Sequence, residues 1–349
     1  MNKFIEYYKT IQPKIKEALN NFNQEILKEE NSTIKDNLEV FAKLNESGKM
    51  VRGTLITLGY KFNKSDIDLS IPLASAYEIF ETSILVHDDI IDNDDLRRGC
   101  QAIHSYNKDK YKTINNNEHL SNSIALCIGD YGLYKANNLI VDNYANKKNF
   151  KKLFNLYNET IINTIRGEII DVALPFLEQN NIYKGNLEES IMNIYTLKTA
   201  YYSIVGPLIL GMTLSDANDK QINDIKDFAL PLGIVFQMQD DYLGIFSSDT
   251  KLGKTVGSDI KEFKQTLLYS YTKNTSYYDE LLKHYGKNNY DLKSVQEIFI
   301  KCGAKDYIVA KMNELYEESL DKLEQIKWLK KEDKTILKDL VLYLKERDK

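Results

Sequence analysis

The stretch from Ile71 to Ile91 is mostly apolar, lacks glycine, and runs straight into acid: His87-Asp88-Asp89-Ile90-Ile91-Asp92. It reads as one long apolar helix. A second acidic pair lies far downstream, in Gln237-Met238-Gln239-Asp240-Asp241-Tyr242. Adjacent aspartates in apolar surroundings are costly to bury unless something cationic compensates them. Two such clusters facing each other would repel. Divalent metal supplies the compensation, and a metal held only by carboxylates completes its shell with a phosphorylated substrate.

The chain has 349 residues, with five prolines and 16 glycines, and long stretches lack both. This favours helices over a sheet protein that needs many turns. Polar segments such as Asn115-Asn116-Asn117, Asn146-Lys147-Lys148-Asn149, Gln179-Asn180-Asn181 and Gly286-Lys287-Asn288-Asn289 divide it into helix-length blocks. No repeat or strand–turn–helix alternation emerges. The expectation is one all-α domain over residues 1–349. At 43% hydrophobic residues the chain can build a core, and a net charge of −5 gives no basic field for nucleic acid. The mixed charges from Lys322 to Lys349 read as a solvated helix face. Cys100, Cys127 and Cys302 form no CxxC pair, which points to a reducing compartment. No apolar signal core opens the chain. The uncharged run from Thr199 to Ser215 is shorter than the ~20 apolar residues a spanning helix needs and contains Pro207, so it reads as a buried helix kinked or broken there. No transmembrane segment and a cytoplasmic location are expected.

On a helix, Asp88 and Asp92 are one turn apart and share a face, so both can reach a common pair of metal ions. Asp89 points elsewhere. Arg97 and Arg98 follow, and guanidinium forks suit phosphate oxygens; pairing with Asp94 and Asp95 is the plainer alternative. Upstream, Lys49 and Arg52 lie three apart beside glycines and would share a face if helical. Lys198-Thr199 sits at the edge of the uncharged helix. Gly253-Lys254-Thr255 suggests a phosphate loop, but the required preceding glycine is Ser248 and no strand precedes it. His87 and His104 form no zinc-type pair.

These motifs, in this order, resemble the trans-prenyltransferases of the polyprenyl synthetase family. The resemblance runs from about Gly48 to Thr266 and rests on Gly48-Lys49-x-x-Arg52, Asp88-Asp89-Ile90-Ile91-Asp92 with Arg97-Arg98-Gly99, and His104. It continues through Gly129-Asp130, similar to the family's GD helix start, Lys198-Thr199, Phe236-Gln237-Met238-Gln239-Asp240-Asp241-Tyr242-Leu243, and Lys254, Asp259 and Lys264. Three departures stand out. Gly244 replaces a frequent third aspartate, Glu168 stands where Gln is usual, and Glu81 stands where a His or Gln often helps bind the non-allylic diphosphate. An acid at 81 repels that diphosphate unless it is protonated, paired or turned away.

The resemblance implies a bundle of long helices around a deep central cavity, usually a homodimer, with the two aspartate motifs facing each other at the cavity mouth. It implies Mg²⁺, three ions with substrate, held by Asp88, Asp92 and Asp240 with Asp89 and Asp241 assisting. Arg97, Lys198 and Lys254 would bind the allylic diphosphate, Lys49, Arg52 and Arg98 the isopentenyl diphosphate, and Lys264 would also bind substrate. Lys198, Thr199 and Gln237 would steady the allylic cation. Product length would be read by Ser83, Ile84 and Phe80, about a turn apart along the helix before Asp88. Ser83 leaves the floor open and Phe80 closes it one turn deeper, which predicts geranylgeranyl diphosphate, with farnesyl or longer chains as alternatives. A terpene cyclase would not need Lys49, Arg52 or the second motif. A regulatory subunit of a heteromeric synthase is the other competing class.

Overall fold

A computed structural model describes residues 2–247 and 256–346; Lys254 falls outside the described residues. The chain runs α1 (Lys3–Ile26), α2 (Ser32–Ser47), α3 (Val51–Lys61), a 3₁₀ turn (Ile67–Ser70), α4 (Ile71–Ile91), β1 (Leu96–Arg97), β2 (Cys100–Gln101), α5 (Ile103–Lys110), α6 (Asn117–Tyr144), α7 (Phe150–Gln179) and α8 (Leu187–Ile194). A π-helix (Tyr195–Val205), α9 (Gly206–Leu214) and α10 (Asp219–Phe246) follow, then shorter helices and two longer ones, Ala304–Gln325 and Lys331–Lys345. Among the described residues, the only sheet is the two-residue antiparallel β1–β2 hairpin. The fold is all-α.

The folded chain divides into two compact units. One comprises Ile5–Phe154 and Pro207–Ala217; the other comprises Asn2–Phe4, Asn155–Gly206 and Asn218–Lys349.

In the first unit α4 is the core helix, with Leu73, Ala74, Ala76, Tyr77, Ile79 and Phe80 fully buried. The 3₁₀ turn feeds directly into it, and Pro72 sits in the first turn, where a missing N–H costs nothing. The segment Ile67–Ile91 is long and apolar enough to cross a membrane by composition, yet 72% of its apolar 18-residue stretch is buried inside the protein. α4 packs along α6. That approach depends on α6 glycines: a Cβ at Gly129 would lie 2.3 Å from the His87 ring, and one at Gly132 would lie 2.2 Å from Ser83 Oγ. Gly129-Asp130 therefore lies well inside α6, whereas the sequence motif suggests a helix start. The helix begins at Asn117, after Asn116 in the left-handed region at φ 60°.

In the second unit α8 passes without a break into the π-helix. Pi geometry is uncommon and concentrates at functional sites. The expected disruption at Pro207 is met differently: the wide turns end at Gly206, and Pro207 falls in the first turn of α9. α10 opens with a capping box, the Asn218 side chain accepting from Gln221 N–H while Gln221 returns a bond to the Asn218 backbone. It packs along the π-helix and the helix Ala304–Gln325. Tyr269, Tyr285 and Phe299 anchor the apolar cluster below it. Cys100, Cys127 and Cys302 are all free thiols.

Candidate active site

α4 carries the first acidic cluster to its C-terminus. Asp92 is the capping residue, and its N–H donates to Asp88 O at 2.8 Å, so the one-turn spacing of the two carboxylates holds. Asp88 and Asp92 are partly buried, whereas Asp89 is 1% exposed. The β1–β2 hairpin folds Arg97 back over them. Its guanidinium donates to Asp89 and to Asp88 Oδ2 at 3.0 Å, and lies 3.4 Å from Asp94. Burial outweighs this pairing at Asp89 and pushes its pKa up to about 7. Asp89 Oδ2 has no hydrogen-bond partner among the described residues. His87 Nε2 lies 3.1 Å from Leu126 O on α6, and His104 is buried with its pKa lowered by burial. Both rings are packed against structure.

A second convergence lies in the same unit. Arg98, at φ 55°, packs its guanidinium against Gly48 and donates to Leu44 O at 3.2 Å. Arg52, in the first turn of α3, donates to Glu81 Oε1 at 2.8 Å, and Arg98 donates to that same oxygen. Glu81 is therefore paired. Burial opposes its charge, but Arg52 and Arg98 outweigh burial and hold its pKa below the usual carboxylate range. Glu78, one turn earlier on α4, accepts from Gly53 N–H at 2.7 Å and hydrogen-bonds the Glu81 side chain. Burial, then the Glu81 charge, raises Glu78 to about 8. Lys49 is exposed and lies outside the helix, contrary to the shared face expected with Arg52. Met50 takes φ 59° between them, which starts α3 only at Val51.

The second unit holds the remaining described candidates, Lys198, Thr199, Gln237, Asp240, Asp241 and Lys264. Lys198, in the π-helix, reaches Glu168 and Asp171 of α7, each at 2.7 Å. A Cβ at Gly167 would lie 2.4 Å from Lys198 N, so only glycine lets α7 come this close. Lys264 lies 3.9 Å from Asp171, so the two lysines share a carboxylate. Thr199 Oγ1 donates to Gln237 Oε1 at 2.6 Å, and Gln237 Nε2 donates to Asp241 Oδ1 at 2.8 Å. The Tyr195 hydroxyl donates to the other Asp241 oxygen. Burial, then the Asp259 charge, raises Asp241 to about 7. Asp240, its neighbour on α10, is only partly buried. A Cβ at Gly244 would lie 3.0 Å from Asp259 Oδ2, so Asp259 brings a carboxylate to the position where the third aspartate of the motif is missing. Tyr195 and Glu78 join these sites without a motif to announce them. Glu78 does leave a signal, an acid one turn before Glu81 inside the apolar run; nothing in the sequence marks Tyr195.

Of the residues expected to read product length, Phe80 is fully buried and meets Tyr77 edge-to-face at 5.2 Å between centroids. Ser83 is fully buried, donates to Ile79 O at 2.7 Å, and sits against Gly132 and Phe41. Ile84 is partly buried.

Among the described residues, no three His, Cys, Asp or Glu side chains gather into a set that would hold a metal alone. Mg²⁺ does not require one. It is commonly bound through one or two carboxylates, with substrate phosphates and water filling the octahedron. The Asp88–Asp92 pair offers partly buried carboxylates of this kind at the end of α4, and in the other unit Asp240 offers one on α10. They do not fit a resident structural metal.

The sequence profile described as polyprenyl synthetase matches residues 35–301. A geranylgeranyl diphosphate synthase from Sulfolobus acidocaldarius is 30% identical over 291 residues, 80% of this chain and 81% of that protein. A farnesyl pyrophosphate synthase from Panax ginseng is 27% identical over 74% of this chain and 78% of its own length. The solved structure of geranylgeranyl pyrophosphate synthase from Corynebacterium glutamicum, complexed with isoprenyl diphosphate and magnesium, aligns with a TM-score of 0.86 at 22% identity. It covers 98% of this chain and 99% of that one, which establishes the shared fold. The chain belongs to the polyprenyl synthetase family of trans-prenyltransferases.

Proposed function

We propose that residues 1–349 act as one synthase domain that condenses isopentenyl diphosphate with allylic diphosphates to geranylgeranyl diphosphate. One observation supports this best. Arg52 and Arg98 meet on a single oxygen atom, apart from the Arg97–Asp88–Asp89 cluster. A terpene cyclase binds one diphosphate and has no use for a second cation seat; a condensation needs two.

Asp88, Asp92 and Asp240 would hold Mg²⁺, with Asp89 and Asp241 assisting. When bound with the allylic substrate, the ions neutralise diphosphate charge and favour its departure. Arg97, Lys198, Lys254 and Lys264 bind the same diphosphate. Charge grows on it as the allylic C–O bond breaks, and cations already in place stabilise that charge more than the ground state. Carboxylates hold these cations beforehand: Asp88 and Asp89 hold Arg97, and Glu168 and Asp171 hold Lys198. Lys49, Arg52 and Arg98 seat isopentenyl diphosphate. Its double bond attacks the allylic cation, steadied by the dipoles of Thr199 and Gln237, and the departing diphosphate takes the proton. Phe80, braced by Tyr77, closes the path of the growing tail; the Sulfolobus relative named for the twenty-carbon product supports that length.

A homodimer is part of the proposal. Ile162, Ile165, Ile169, Val172 and Phe176 are exposed at helical spacing along one face of α7. Such a stripe marks a protein interface. The three free thiols support a cytoplasmic site of action. A regulatory subunit is the second reading, favoured by Glu81 and Glu168, which neutralise cations meant for substrate.

Incubating the purified chain with Mg²⁺, isopentenyl diphosphate and each allylic diphosphate, then sizing the products, tests all of this. A twenty-carbon product from the chain alone is expected. Farnesyl or longer products correct the length. Diphosphate release with hydrocarbon formation in the absence of isopentenyl diphosphate identifies a cyclase, and no turnover without a partner identifies a subunit.

A further inference from the structure

Glu81 sits between the two arginines assigned to isopentenyl diphosphate, and its Oε1 accepts from both. The carboxylate side chain is 6% exposed, against 19% for Arg52 and 18% for Arg98. The arginine side chains are thus open enough to be reached, while the acid lies behind them. The acid is also fixed in place. Glu78 hydrogen-bonds it from one turn below and is itself held by Gly53 N–H. Leu44 O and the Gly48 backbone position Arg98. One carboxylate held by two forks has the donor pattern that a diphosphate oxygen would take.

We infer that Glu81 is an internal stand-in for the diphosphate of isopentenyl diphosphate, holding Arg52 and Arg98 in position and competing with the substrate for their N–H groups. The inference rests on the proposed role of those arginines. It gives this chain a seat that is ordered in advance and weakened in affinity. The order comes from the ion pairs, which keep two like charges together with no ligand bound. The weakening comes from competition, because each guanidinium must give up a charge-assisted hydrogen bond before it serves the substrate. Glu81 therefore sets the concentration of isopentenyl diphosphate at which the enzyme half-saturates. The allylic substrate, bound elsewhere, is unaffected.

The test compares the full-length enzyme with Glu81→Gln and Glu81→Asp, measuring KM for each substrate separately. Calorimetric titration of the metal-free protein with isopentenyl diphosphate reads binding directly. For Glu81→Gln the expected result is at least about a tenfold fall in KM and Kd for isopentenyl diphosphate. Tenfold is less than the worth of one hydrogen bond to a charged group. The KM for the allylic substrate stays put. Glu81→Asp keeps the charge and withdraws it by one methylene, so about a threefold fall is expected; this variant decides the matter if Glu81→Gln does not fold. A folded variant whose KM for isopentenyl diphosphate rises or stays constant overturns the inference, because Glu81 would then be a brace only. Arg52→Met and Arg98→Met separate the two levels. If both leave that KM unchanged, the assignment of the seat itself fails. If they raise it while the Glu81 variants do not lower it, only the stand-in role fails.

Discussion

Glu78 offers the sharpest physical test, because replacing it by glutamine changes a proton and little else. Its side chain is buried, accepts from Gly53 N–H, and hydrogen-bonds Glu81. Glutamine reproduces both bonds, with its oxygen toward Gly53 and its amide toward Glu81. In the folded protein burial and the Glu81 charge raise the Glu78 pKa from 4.5 to about 8. Between those two values the folded state keeps a proton that the unfolded state has released. Stability therefore falls as pH rises through the window, by about 1.4 kcal/mol per pH unit. Over the whole window this amounts to about 5 kcal/mol, a large share of the ~5–15 kcal/mol by which proteins are stable. Glu81 does not confuse the result. Its pKa is lowered, so its contribution is lost only as pH falls below the ordinary carboxylate range. Urea unfolding of wild type and Glu78→Gln at half-unit steps from pH 5 to pH 8 measures the difference. The variant should gain on wild type steadily as pH rises. Parallel curves would show that Glu78 is not a buried neutral acid, and the account of how Glu81 keeps its charge would fail with it.

Asp88→Ala or Asp240→Ala should lower turnover on the order of a hundredfold or more while far-UV circular dichroism stays unchanged; near-normal turnover would remove the metal assignment. Phe80→Ala should shift products toward longer chains by chromatography, and an unchanged product would take Phe80 out of the account of length. The double change Ile165→Lys with Ile169→Lys places two charges on the exposed α7 stripe and should yield a monomer in sedimentation; an intact dimer would exclude that face as the interface.

The long helix α4 is legible to its ends because an uninterrupted apolar run leaves few alternatives. Its termini carry their own signals, Pro72 and the acidic cluster. Thr199, Gln237 and Asp241 are legible as candidates from their motifs, but their hydrogen bonding to one another is not. Gln237 reaches Asp241 along its own helix, yet Thr199 comes from another element. The state of Glu81 is hidden for the same reason. Arg52 lies far before it in the chain and Arg98 well after, and only tertiary packing shows that both bind one oxygen. Lys49 misleads because nothing in Gly48-Lys49-Met50 reveals that Met50 takes a left-handed backbone, a conformation that costs an ordinary residue ~1–2 kcal/mol. Gly129 suggests a boundary, but its missing side chain makes room for an imidazole in mid-helix. The division into two units leaves no linker of biased composition, because the chain crosses between them inside or beside helices, as at Gly206–Pro207.

The π-helix has a consequence for how this chain tolerates change in length. Its turns hold more residues than those of an α-helix, so removing one residue between Lys198 and Gly206 would let part of the segment tighten toward ordinary geometry. Each residue of an α-helix advances the direction of its side chain by about 100°. Such a deletion would thus leave helix content almost unchanged while rotating Lys198 and Thr199 away from Asp171 and Gln237. Segment length there works as an angular setting, and the number of residues in it fixes which partners Lys198 and Thr199 meet as firmly as their identity does.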